Sequence, residues 1–129
     1  MGEQFTLEII SPERSIIKTQ TSEVVIPSFE GEMGILKNHS PLITFLRPGI
    51  IKIVETKLKK FFVEDGTVEF ANNNLLILTS TAKDLSAFDQ STLNKIIEVA
   101  QKKIENNDIS DKEKYLLSHK IESLKNANQ

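Results

Sequence analysis

The chain has 129 residues, 16 basic against 18 acidic, for a formal net charge of −2. That near-balance lacks the basic excess of a nucleic-acid binder, and the absence of cysteine rules out disulfides, thiolate zinc sites and a cysteine nucleophile. The start, "MGEQFTLEII", lacks the basic and long apolar regions of a signal peptide. No apolar run approaches the roughly 20 residues of a membrane span, so any membrane contact is expected through partners. Myristoylation at Gly2 is a minor alternative, since the residues that follow read as an ordinary strand start.

Up to about Leu85 the chain reads as short strands. Phe5, Leu7 and Ile9 alternate with Thr6 and Glu8, the period-two pattern of a half-buried strand. "SPER" punctuates, and "SEVVIP" follows as a β-branched run closed by Pro27. Next comes "EGEMGILKNHSPLITFLRPG", rich in glycine and proline and carrying His39, one of two histidines. Its first part reads as a long connection between strands, and exposed acid, Met33 and His39 there suit contact with a partner. "PLITFL" and "GIIKIV" flank Arg47-Pro48-Gly49, a turn signal. "KKFFVEDGTVEF" holds two strands about Asp65-Gly66, and "NNN" turns the chain into "LLILTS". Strands at this spacing predict an all-β sandwich of about ten short strands.

After Leu85 the period changes. Leu93, Ile96, Ile97, Ala100 and Ile104 form one stripe of an amphipathic helix, capped by Ser86 or Asp89. Ser110 with Glu113 is a capping box opening a second helix, whose stripe is Leu117, Ile121 and Leu124. The short connection predicts an antiparallel helical hairpin. The expected organisation is therefore a β-sandwich over 1–85 and a hairpin over 86–129, with His119 on the exposed side of the last helix.

None of the candidate chemistry closes into a catalytic site. Gly31 and Gly34 bracket Glu32 and Met33, but a phosphate loop needs a longer glycine loop leading to Lys and Ser/Thr at a helix start. His39 and Ser40 are adjacent, so in an extended chain they point to opposite faces and do not form a base–nucleophile pair. Two distant histidines without cysteine are a poor metal set. No catalytic residue, cofactor or metal is expected. Pro41, Pro48 and the glycines serve turn geometry.

The stretch "VIPSFEGEMGILKNHSPLITFLRPGIIKI" closely resembles the N-terminal domain of epsilon subunits of bacterial F-type ATP synthases. That family carries a G-E-x-G-I/L-x-x-x-H-x-P-L-L-T-x-(L/I)-x-P-G pattern. Gly31, Glu32, Gly34, Ile35, His39, Pro41, Leu42, Thr44, Pro48 and Gly49 match it, with Ile43 replacing the second leucine. "FFVEDGTVEF" is similar to the family's F-x-x-x-G-G-x-x-E-V hairpin, with Asp65 for the first glycine. The resemblance implies a flattened β-sandwich at the foot of a central stalk, joining the gamma subunit to the membrane-embedded ring of c subunits. Glu30, Glu32 and Met33 would face the ring; Ser11 and His39, Ser40, Pro41 and Leu42 would lie near gamma. The hairpin would restrain ATP hydrolysis by extending towards the alpha and beta subunits, with Lys112, Lys114, Lys120 and Lys125 meeting them. The implied location is peripheral, on the cytoplasmic face of a bacterial inner membrane, with a plastid-encoded copy open. The remaining alternative is an adaptor or scaffold sandwich outside any ATPase. Some members bind ATP through an (I/L)-D-x-x-R-A motif. Here the stretch is Phe88-Asp89-Gln90-Ser91-Thr92-Leu93, which keeps the aspartate but has neither the arginine nor the alanine.

Overall fold

The computed structural model describes residues 3–55 and 57–127; Gly2, and with it the myristoylation expectation, lies outside them. Ten strands precede two helices: β1 (Phe5–Ile10), β2 (Ser15–Thr21), β3 (Glu23–Ser28), β4 (Gly31–Leu36), β5 (Leu42–Leu46), β6 (Gly49–Val54), β7 (Lys59–Val63), β8 (Gly66–Ala71), β9 (Asn74–Leu78) and β10 (Lys83–Asp84), then α1 (Gln90–Ile104) and α2 (Asp111–Lys125). The strands form one curled sheet in the order β10-β7-β6-β3-β5-β8-β9-β1-β2, with β4 pairing β3. It folds into two layers. One holds β10, β7, β6, β3 and β4, and the other β5, β8, β9, β1 and β2. They join where Ser28 at the end of β3 pairs Leu46 at the end of β5. All pairings are antiparallel except β1 with β9.

Period-two alternation sends one side chain in two between the layers. Phe5, Leu7 and Ile9 from β1 meet Val24 and Ile26 from β3, Ile51 and Ile53 from β6, and Phe70, Leu75 and Ile77 from β8 and β9. Thr21 at the β2–β3 corner is fully buried and donates to the Val54 carbonyl at 2.7 Å, closing that end of the sandwich. The Ala71–Asn74 hairpin is a two-residue turn with Asn72 and Asn73 at φ 52° and 58°, which fits the type I′ turn that Asn tolerates. Gly66 has φ 151° and packs so closely that a Cβ would sit 2.7 Å from the Leu78 carbonyl oxygen, so no other residue fits there.

A second core lies outside the sandwich. Phe62 on β7 faces away from Phe61 and Val63, and packs with Leu93, Ile97, Leu124 and Ala127. The hairpin thus covers the outer face of the β6–β7 layer. The Asp89 side chain accepts from the Thr92 N–H at 2.7 Å, making it the N-cap of α1. Ser86 instead belongs to a short 3-10 turn, Leu85–Ala87, capped by Asp84. Ser110 caps α2 as expected: the Glu113 N–H donates to its hydroxyl at 3.1 Å.

Three sequence expectations change. The stretch after Glu30 is not a long connection. Gly31–Leu36 is a full strand, paired along all of β3, with Ile35 buried and Glu32 and Leu36 outward. Its two glycines hid an ordinary alternation. Ser15–Thr21 is a strand that the punctuation at "SPER" obscured. His119 does not face solvent; it turns towards the sandwich, half-buried.

Candidate functional site

Among the described residues, little covers the outer face of the second layer. Register sets Phe45, Thr67, Leu78 and Ile10 side by side across β5, β8, β9 and β1. One step along, Ile43, Glu69, Leu76 and Glu8 form the neighbouring row. Ile43 is 76% exposed and Phe45 60%, and Leu78 is also exposed. Several large apolar side chains on adjacent strands, rather than scattered singly, mark a contact surface.

This face runs into a cleft of about 1160 Å³ between the strand ends and the first turns of α2, lined by Phe29, Phe45, Leu78, Leu116, Leu117 and Lys112. The first half of α2 therefore spans the cleft, touching the sandwich at Tyr115, while its second half is seated on it. Lys120 Nζ donates to Glu64 Oε1 at 2.8 Å, and Ser123 Oγ to the Pro48 carbonyl at 3.4 Å. Tyr115 stacks on Phe29, with ring centroids 6.1 Å apart and planes 9° from parallel.

The residues assigned from sequence are distributed as follows. Ser11 follows β1 at the end of the sandwich that carries the Phe29–Glu30 turn. His39, Ser40 and Pro41 sit at the opposite end, where the Asn38 N–H donates to Asn73 Oδ1 at 2.7 Å. The two groups are not one cluster; they stand at either end of the uncovered face. Leu42 packs inward against the main core. Glu30 is exposed in the β3–β4 turn, Met33 packs inward against the same core, and Glu32 faces a groove under α2. Lys112 and Lys120 line the cleft, while Lys114 and Lys125 are exposed. Ile43, Phe45 and Leu78 were missed as site residues. Their signal was present: "LITFL" puts apolar residues on both faces of a strand, and one face was bound to be outward.

His39 Nδ1 donates to the Ser40 carbonyl oxygen at 2.7 Å, so the ring engages backbone and not a hydroxyl nucleophile. The ring also meets Phe70 edge-to-face at 6.0 Å. Among the described residues no cluster of three metal-ligating side chains occurs. This arrangement is suited to holding partners.

The model of the ATP synthase delta/epsilon chain, beta-sandwich domain, matches residues 4–84. The ATP synthase epsilon chain of Pelagibacter ubique is 46% identical over 130 residues, covering 99% of this chain and all of that one. The epsilon chain of Allorhizobium ampelinum is 33% identical, covering 98% and 92%. Two solved assemblies share the fold. A chain of the Euglena gracilis mitochondrial ATP synthase superposes with a TM-score of 0.83 at 24% identity, covering 98% of this chain and 82% of that one. A chain of the Tetrahymena thermophila mitochondrial ATP synthase central stalk and c-ring gives 0.65 at 14% identity, covering 99% and 98%. Full-length agreement with epsilon chains removes the ground for an adaptor outside any ATPase. With its sandwich matched over residues 4–84 and its hairpin included in the full-length alignments, the chain belongs to the ATP synthase epsilon-chain family.

Proposed function

We propose that this chain is a non-catalytic rotor subunit of a proton-translocating F-type ATP synthase, fastening the gamma subunit to the ring of c subunits. The observation that carries the proposal is the uncovered face built on Ile43, Phe45 and Leu78. Each such side chain contributes about 1.5–3 kcal/mol when a partner buries it fully. In this reading gamma lies along that face, reaching Ser11 at one end and His39, Ser40 and Pro41 at the other. The ring takes the Phe29–Glu30 turn, with Glu32 and Met33 behind it on β4. The subunit makes and breaks no bonds; it transmits torque.

The hairpin is the regulatory part. Undocked, it presents Lys112, Lys114, Lys120 and Lys125 to the alpha and beta subunits and restrains ATP hydrolysis. Lys120 must then leave Glu64. That exchange is easy, because partly exposed ion pairs contribute only about 0–1 kcal/mol. Among the described residues no helix is long and apolar enough to cross a membrane. Attachment to the cytoplasmic face of the bacterial inner membrane is accordingly assigned to the ring and gamma.

The test is affinity purification of the tagged chain from native membranes. Recovery of gamma, alpha, beta and c chains is expected, and the double variant Ile43→Glu, Phe45→Glu should lose gamma. Recovery of the wild-type chain alone, from the soluble fraction, overturns the reading.

A further inference from the structure

One polar-aromatic cluster ties the middle of α2 to the sandwich. Tyr115 rests on Phe29 from the β3–β4 turn. One turn further along α2, His119 meets Tyr115 edge-to-face with centroids 4.5 Å apart. Arg47, between β5 and β6, brings Nη1 to 3.5 Å from the Tyr115 hydroxyl. The imidazole and the guanidinium line one groove of about 590 Å³ between α2 and the outer face of the sheet. The other ionisable groups facing this groove are Glu32 from β4, Lys52 from β6, Lys60 from β7 and Glu122 from α2. His119 is thus a titratable side chain held between hairpin and sandwich.

We propose that His119 is a proton-sensitive latch, docking the hairpin while its imidazole is neutral and loosening it when protonated. A protonated ring would put a second cation near Arg47 in a groove partly closed to water. Burial first, and then the Arg47 charge, hold the His119 pKa below its ordinary 6.5, while Glu122 pulls less strongly the other way. The docked hairpin therefore binds a proton less readily than the free one. Where the undocked state binds more protons, the free energy of undocking rises with pH. Docking is at full strength above the free-histidine value of 6.5 and weakens as pH falls from there towards the docked value. Once both states are protonated the dependence ends. Histidine is the side chain whose ordinary pKa lies in this range.

The inference rests on the hairpin being able to leave the sandwich, and the experiment separates the two. The chain has no cysteine, so Asp65→Cys and Lys114→Cys, both exposed, accept a fluorophore pair that reports the gap across the cleft. Energy transfer is followed on the full chain between about pH 8 and pH 5.5. The open fraction should rise severalfold on acidification, stay low and flat in His119→Gln, and stay high and flat in His119→Lys. A docking-weakened control, Phe62→Ala, keeps His119 but removes the side chain at the centre of the hairpin's contact with the sandwich, and should be more open than the wild type at every pH. A wild-type profile that is flat while this control opens overturns the proton latch alone. A profile that survives His119→Gln does the same, because another group is then the sensor. Failure of every variant to open overturns the movable hairpin and the latch with it.

Discussion

Phe62 offers a way to loosen the hairpin while sparing the sandwich. It is 6% exposed, yet it points away from the inner core and packs against Leu93, Ile97, Leu124 and Ala127. Its neighbours Phe61 and Val63 face the other way, into the sandwich. When the hairpin leaves, Phe62 is exposed, so most of its contribution belongs to docking. A buried Phe→Ala change costs about 3–5 kcal/mol, including the cavity. The hairpin is able to settle into part of the space, so we take about 3 kcal/mol. At about 1.4 kcal/mol per decade, the ratio of docked to free hairpin should fall about a hundredfold in Phe62→Ala. The Asp65–Lys114 fluorophore pair measures that ratio, and thermal melting followed by near-ultraviolet absorbance measures the sandwich. Phe61→Ala is the comparison: it should lower the sandwich melting temperature through the inner core. An unchanged docked fraction in Phe62→Ala, with the melting temperature lowered as in Phe61→Ala, would show that the two cores are one cooperative unit and refute the reasoning.

Other outcomes follow from the same geometry. A fragment ending at Leu85 should fold and still co-purify with gamma, because the uncovered face lies wholly within residues 1–85; a folded fragment that fails to bind would overturn that division of roles. Deleting residues 107–129 should raise ATP hydrolysis by the assembled enzyme, measured by phosphate release, and unchanged hydrolysis would argue for a static hairpin. A methyl group at Gly49 would overlap the Pro27 ring, so Gly49→Ala should destabilise the sandwich by about 1–3 kcal/mol in chemical denaturation. The chain should bind ATP weakly or not at all by calorimetry, since Asp89 is engaged as the α1 N-cap and the only arginines, Arg14 and Arg47, lie outside the helices; a low-micromolar dissociation constant abolished by Asp89→Ala would contradict this.

What was legible in the sequence follows the physics of each element. Strict alternation in "FTLEI" and the helical stripes from Leu93 and Leu117 announced themselves, because one face of each is buried and the other wet. β4 did not, because Gly31 and Gly34 occupy positions where an alternating pattern needs side chains, and glycine ordinarily signals a turn. The positions His39 to Leu42 were assigned to the gamma side from a motif, yet Leu42 is spent on the core and the exposed apolar surface begins at Ile43. A motif match identifies positions without saying which way they point. His119 was misplaced for a related reason: the apolar stripe of α2 defines its helix-facing side, and nothing in that periodicity reveals that Tyr115, one turn before it, makes a second contact with Phe29 and Arg47.

The two outer faces of the sandwich complete the reasoning. Each layer presents apolar side chains outward, Ile50 and Phe62 on one and Ile43, Phe45 and Leu78 on the other. Consecutive Phe61 and Phe62 point to opposite sides of β7, so that strand is apolar on both faces and requires cover on both. The chain's own hairpin covers one of the two outer faces. The other face carries Ile43 and Phe45 at exposures that isolated chains tolerate only locally. A partner bound there acts on the sandwich, while an event that lifts the hairpin acts on the opposite side. Under the proposed roles, attachment to gamma and release of the hairpin therefore act on opposite outer faces of the sandwich. The open face and α2 meet at the cleft beneath Leu116 and Leu117, which Phe45 and Leu78 line from below. A partner seated on the open face would reach the hairpin through that cleft, at the first half of α2, where the stacking of Tyr115 on Phe29 is the contact it would have to release.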